Sequence, residues 1–285
     1  MVINADLVYA YNNLLPPSPR AVSYSKRPSS CSSISFYWAL DRTVPELNAH
    51  NIFLAENYRS SFDDIFKLHQ MPTEPSFYIH VPTRIDPSAA PAEKDALAVL
   101  VPVGHLRDMA INIGIRAQDW PAMVNTARET VIRTVEARTG ASLRSHIIHE
   151  IVNSPTIWKE KFNLDKGAIL GLSHSFFNVL SFRPKIKHPS IGQLYFVGAS
   201  TQPGTGVPIC LAGSKLTSEQ VLGDYGMHKP WDMEVEEKEV RAIDRVRQPL
   251  WHTLVHTSAP LWSTLILVVV LLLMKYFPEY SYHLI

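Results

Sequence analysis

The chain has 285 residues, 46% of them hydrophobic and 19% charged, with 27 basic and 26 acidic side chains for a formal net charge of +1. That length supports one large or two ordinary domains with a sizeable core, and the composition excludes global disorder, which needs low hydrophobicity and high net charge. The charge balance leaves no cation excess for a nucleic-acid partner, and two cysteines, Cys31 and Cys210, exclude a disulfide scaffold and a cysteine-rich zinc site, so no metal is expected.

Residues 2–5 read as a short buried strand running into a helix. A strand that opens at residue two normally follows an earlier element, which suggests part of something longer. Residues 16–33 (PPSPRAVSYSKRPSSCSS) read as an exposed loop or linker. Strand-like runs follow at 35–40 (SFYWAL), 51–55 (NIFLA), 76–81 (SFYIHV) and 96–103 (ALAVLVPV), and their spacing predicts a mixed or antiparallel sheet. Between them, residues 61–69 read as a helix with Phe62, Ile65, Phe66 and His69 on one face. Residues 119–138 form the clearest helical pattern. Asp119 suits the N-cap, Pro121 the first turn, and Val124, Ala127, Val131, Val135 and Arg138 trace a stripe that Gly140 closes. A further strand is expected over 143–151, and a short helix over 155–162 with Trp158 and Phe162 one turn apart.

The most informative stretch is 194–222, LYFVGASTQPGTGVPICLAGSKLTSEQVL. Residues 194–197 have a buried-strand pattern that Gly198 ends. Gly204 and Gly206 bracket Thr205, and Val207 and Pro208 begin a helical run. Such a strand, glycine-rich turn and helix allow close backbone approach to a ligand, and the helix start offers unpaired N–H groups and a positive dipole end. The spacing is neither GxGxxG nor a phosphate-binding loop, because Lys215 stands well inside the helix. A plain strand-to-helix connection is the alternative.

The apolar residues then crowd together. Residues 265–274 are all apolar, and 259–277 hold only one charge, Lys275. At about 1.5 Å per residue these nineteen residues reach roughly 28 Å, close to a bilayer core of about 30 Å, with Trp262 and Tyr276 near the ends. A membrane span, an anchor lying in one leaflet and a buried core helix all fit. Lys238, Arg241, Arg245 and Arg247 precede the segment, so the positive-inside rule keeps the main body cytosolic, a tail-anchored layout without a signal peptide. The charged run 234–247 reads as a solvated stalk.

The stretch 197–222 resembles the C-terminal FAD signature of the bacterial and fungal type of phytoene desaturase, within the amine-oxidase-like flavoproteins. Other segments match that family in the same order: CSSISFYWALDR at 31–42, HNIFLAENYRSSFDDIF at 50–66, PSFYIHVPTRIDPSAAPAEKDALAVLVPVGHL at 75–106 and FNLDKGAILGLSHSFFNVLSFRP at 162–184. The likeness covers residues 1 to about 222. The Pro/Ser-rich insertion and the tail look like the fungal branch.

The resemblance implies an α/β fold of mixed character, the C-terminal part of a two-domain FAD flavoprotein with a C-terminal membrane helix. It divides the chain into a flavin-domain strand and linker (1–33), a substrate-binding mixed sheet with helices (34–190), the C-terminal FAD-binding strand, turn and helix (191–226), a charged linker (227–258) and an anchor (259–277). The implied activity is desaturation of phytoene toward lycopene-type carotenoids. FAD would be held at Gly198, Thr201, Gly204, Gly206, Val207 and Pro208. Phe36, Trp38, Tyr78, His174 and Phe177 are weaker candidates for an apolar substrate surface, with core packing as the alternative. Asp41 and Arg42 suit an ion pair or a salt-bridged turn. The implied partners are phytoene and other apolar polyenes, the lipid bilayer (that of the endoplasmic reticulum in a eukaryote), and a second copy or other carotenoid enzymes. NAD, a quinone and oxygen stay open as electron acceptors.

The departure from the family is large. The GxGxxG turn that holds the ADP half of FAD is absent, as are the family's early acid–base candidates, so no catalytic residue is named. This suggests a fragment that binds FAD weakly or not at all and is inactive alone. The alternatives are a non-catalytic tail-anchored scaffold, or a carotenoid oxidase or retinol saturase-like flavoprotein.

Overall fold

Alternation builds the sheet. Along β5 (Ala96–Val103), Leu97, Val99, Val101 and Val103 are buried on one face, while the residues between them are half-covered on the other. The structure, a computed structural model, describes residues 1–107 and 117–229, and Met1–Tyr225 form one compact unit. Antiparallel neighbours flank β5: β2 (Ser32–Leu40) on one side and β4 (Phe77–His80) on the other. β3 (His50–Phe53) adds to β4 and β6 (Ile147–Asn153) to β2, so the order is β3-β4-β5-β2-β6 and every pairing is antiparallel. Of the two sheet types expected, the antiparallel one forms.

On the inner face Phe36 lies opposite Val99 and Val152, and its ring stacks on Trp38 at 5.4 Å. α4 (Trp120–Thr139) covers this face with Ala127, Val131, Ile132 and Val135. Its ends form as expected: the Asp119 carboxylate accepts from the Ala122 N–H (3.0 Å), and Gly140 stops the helix at φ +76°.

Two inward carboxylates fasten these layers. Glu150 on β6 accepts from Trp38 Nε1 (2.7 Å) and from Arg128 Nη2 of α4 (2.6 Å), so one side chain joins two strands and the covering helix. Asp95, 1% exposed, accepts from the Val44 N–H (2.7 Å), from Thr83 Oγ1 (2.5 Å) and from both Arg84 terminal nitrogens (2.9 Å each). The PTR segment therefore works as a structural clamp at the head of β5. Asp41 and Arg42 do not pair with each other: Asp41 accepts from His146 Nδ1 (2.9 Å), and the Arg42 carbonyl accepts from the Asp95 N–H.

A second hydrophobic cluster gathers the two ends of the unit. β1 (Val2–Ile3) pairs in parallel with β7 (Tyr195–Phe196), and Ile3, Leu7, Tyr11, Tyr24, Leu172 and Phe196 pack together. α1 (Leu7–Tyr9) continues through a π turn (Ala10–Leu14). The expected loop at 16–33 is corrected here, because it contains α2 (Pro19–Ser25). Ser18 accepts from the Ala21 N–H (3.2 Å), Pro19 sits where a missing N–H costs nothing, and Tyr24 packs edge-on to Tyr11 at 4.8 Å. The composition suggests a linker, but a cap and a buried ring make a helix. Among the described residues the remaining α-helices are α3 (Tyr58–Phe66), α5 (Pro155–Phe162) and α6 (Val207–Asp224). Among the described residues no helix is long and apolar enough to cross a membrane, and the segments 234–247 and 259–277 lie outside them.

Burial by itself would raise the Asp95 carboxyl, but the Arg84, Thr83 and Val44 hydrogen bonds outweigh it and hold it below the usual range. A carboxyl lowered on folding stabilises the fold fully above its unfolded value, and that contribution is lost as pH falls through the folded value. Asp95→Asn should therefore cost about 3 kcal/mol, as for a broken buried pair. Its denaturation midpoint should also lose the wild type's fall below about pH 4, the unfolded carboxylate range. Chemical denaturation across pH reads both.

Candidate functional site

The parallel pairing of β1 with β7 brings the start of the chain beside the glycine-rich turn. The Tyr195 N–H donates to the Met1 carbonyl and the Val197 N–H to that of Ile3, both at 3.0 Å. The result is a cleft of about 130 Å³ walled by Asn4, Asp6, Ala168, Gly171, Gly198 and Thr201. Gly198 has φ +132°, and a Cβ there would come 3.1 Å from Asn4 Oδ1. Thr201 turns the chain back, its N–H and hydroxyl both donating to the Gly198 carbonyl (3.2 and 3.1 Å). Asp6 caps α1 through the Tyr9 N–H (2.9 Å); burial, and more weakly the charge of Asp165, raise its carboxyl.

Gly204 and Gly206 follow at φ +147° and +105°, a region that side chains disfavour. Gly206 is the N-cap of α6 and supplies no side-chain cap, and Pro208 lies in the first turn. Val207 is 77% exposed, so the start of this helix faces outward. Behind it, Thr217 Oγ1 donates to the Phe196 carbonyl (3.3 Å) and Gly213 lies against Pro203, which seats the helix on its strand. The turn therefore presents a helix N-terminus and the uncovered backbone of Gly204 and Gly206. That arrangement admits a flat, electron-rich ring system.

Arg183, which sequence reasoning did not single out, sets the shape of this turn. It is 2% exposed and donates only to backbone carbonyls: Nη1 to Asn178 (2.7 Å), Nε to Ala199 (3.1 Å) and Thr201 (3.2 Å), and Nη2 to Ala199. A Cβ on Gly204 would lie 3.7 Å from its Nε. Burial pushes this guanidinium down from its usual value. The only signal for it in the chain is the FRP triplet at 182–184.

Of the six turn residues, Gly198 and Thr201 line the cleft while Gly206, Val207 and Pro208 stand at the start of α6 with Gly204 just before them, and the five substrate candidates split. Phe36 and Trp38 are core residues beneath α4, since their positions on β2 put them on the inner face. This corrects the expectation of a substrate surface for both. Tyr78 lies on the outer face, opposite Ile52 and Leu100, with its hydroxyl 2.6 Å from His50 Nδ1. His174 borders an apolar cleft of about 330 Å³ with Cys31, Phe66 and Leu170. Partial burial and then the Arg183 charge lower its imidazole, while burial raises the Cys31 thiol. Phe177 is exposed, its ring edge-on to Phe176 at 5.2 Å. Arg183, bonded to the Asn178 carbonyl, ties this loop to the glycine turn.

Over 261 residues the chain is 54% identical to a phytoene desaturase of Fusarium fujikuroi, a match covering 86% of this chain and 46% of that protein. A phytoene desaturase of Phycomyces blakesleeanus is 46% identical over 287 residues, 99% of this chain and 47% of its own length. A zeta-carotene-forming phytoene desaturase of Myxococcus xanthus is 38% identical, covering 78% and 42% respectively. An oxidoreductase structure from Methanosarcina mazei aligns with a TM-score of 0.44 at 13% identity, over 76% of this chain and 42% of that one. No family model matches. The chain spans about half the length of the curated relatives it matches. Over most of its residues the chain thus matches about half the length of phytoene desaturases, with higher identity to the fungal proteins than to the bacterial one.

Proposed function

We propose that this chain forms part of an FAD-dependent enzyme that desaturates phytoene toward lycopene-type carotenoids. The observation that carries the reading is the turn with positive φ at Gly198, Gly204 and Gly206, leading into the outward-facing start of α6. The residues fit a flavin, because the positive φ at Gly204 and Gly206 would strain any side chain there and leaves the backbone beside the helix start uncovered. When bound, FAD supplies the hydride acceptor. In this reading the N–H groups and dipole at the start of α6 would favour the negative charge of a reduced flavin, and Thr201 with the Gly198 carbonyl fixes the wall of the cleft. Tyr78 on the outer sheet face and the His174 and Phe177 loop supply apolar surface for the polyene.

We assign residues 259–277 to a membrane anchor, with the main body on the cytosolic side of the endoplasmic reticulum. Ten consecutive apolar residues at 265–274, preceded by Lys238, Arg241, Arg245 and Arg247, support that reading. Phytoene is insoluble in water, so its enzyme benefits from being held at a bilayer.

A chimera tests the function. The stretch of the Fusarium desaturase that this chain matches is replaced by this chain and expressed in cells that accumulate phytoene. The expected result is bound flavin and coloured acyclic carotenoids, with this chain alone giving neither. A folded chimera that holds no flavin and leaves phytoene unchanged would overturn the proposal. Gly204→Val in the active chimera should reduce flavin occupancy at least tenfold, by absorbance of the purified protein, with unchanged far-ultraviolet circular dichroism.

A further inference from the structure

A basic cleft of about 260 Å³ lies between α2 and residues 181–189, walled by Arg20, Arg27, Arg183, Lys185 and Lys187 with Tyr11 and Tyr24 behind them. The two stretches that build it, 16–33 and 171–193, carry six Lys or Arg and no Asp or Glu, in a chain whose net charge is only +1. Lys187 is partly neutralised by Asp224 at 2.6 Å. Beside the cleft stands an apolar knob of Phe176, Phe177, Leu180 and Phe182, all exposed, Leu180 at 82%, with the three rings 5.2 to 5.6 Å apart.

Cleft and knob are one surface. Phe182 belongs to both, and Arg27 Nη1 donates to the Phe182 carbonyl (3.2 Å) and to Asn178 Oδ1 (3.3 Å), which holds the knob against the cationic wall. Water-facing rings cost free energy unless something covers them, and a neighbouring ring of cations selects an anionic cover. We propose that this surface docks on an anionic phospholipid bilayer, the four apolar side chains entering the acyl boundary while Arg20, Arg27 and Lys185 meet lipid phosphates. The inference goes beyond the anchor proposed above, because it uses none of residues 259–277 and none of the glycine turn.

The test is made on the full chain carrying Cys31→Ser, Cys210→Ser and Leu180→Cys, labelled at position 180 with an environment-sensitive fluorophore. Vesicles of phosphatidylcholine with phosphatidylserine should give a blue shift and intensity gain that phosphatidylcholine alone does not, weakening at high salt. Arg20→Glu with Lys185→Glu should weaken that response roughly tenfold or more, given about 1 kcal/mol for each cation near an anionic surface. Vesicle binding without a change at position 180 would mean that another segment does the anchoring, and would overturn the proposal. So would binding of pyrophosphate in the cleft with no lipid response, or a label already shielded before lipid is added, in this chain or in the chimera.

Discussion

A guanidinium buried among backbone carbonyls holds the loop cluster of this protein together. Arg183 gathers the carbonyls of Asn178, Ala199 and Thr201 around one cation. Hydrogen bonds to a charged donor are stronger than neutral ones, and desolvated carbonyls have nowhere else to go. Segment 198–206 is therefore drawn onto the segment that carries Phe176 and Phe177, and Gly204 must lie directly over the side chain. Glycine at 204 supplies the positive φ that this path of the chain requires. The surface at the start of α6 and the knob proposed to meet lipid are set by the same residue.

The sheet supplies the rigid side of the molecule by similar means. Asp95 and Glu150 are inward carboxylates whose burial is compensated by fixed donors, Arg84 with Thr83 and Arg128 with Trp38. Each joins elements far apart in sequence. The inner face is committed to α4, while the outer face keeps Tyr37, Ile52 and Ile151 open. That division commits one face of the sheet to the core and leaves the other open.

Much of this was legible in the residues. The alternation of β5, the Asp119 cap and the Gly140 stop are local signals, and local signals survive folding. The glycine turn was legible because three positive-φ positions demand glycine. Residues 16–33 misled, since their composition favours a loop while the decisive facts, a Ser18 cap and the Tyr24 contact with Tyr11, depend on a partner elsewhere. Phe36 and Trp38 failed as substrate candidates for a different reason. Strand period shows that alternate residues share a face, but which face meets α4 is decided by tertiary packing. Arg183 left little trace in the sequence beyond the FRP triplet, because two of its carbonyl partners, Ala199 and Thr201, lie 16 and 18 residues away.

Hydrogen–deuterium exchange tests the role of Arg183 most directly. The Thr201 and Gln202 amides donate to the Gly198 and Pro184 carbonyls and should exchange slowly in the wild-type chain. Arg183→Gln should speed exchange across 198–206 by at least tenfold while β2 and β5 stay protected. Unchanged protection of 198–206 in that variant would contradict the account.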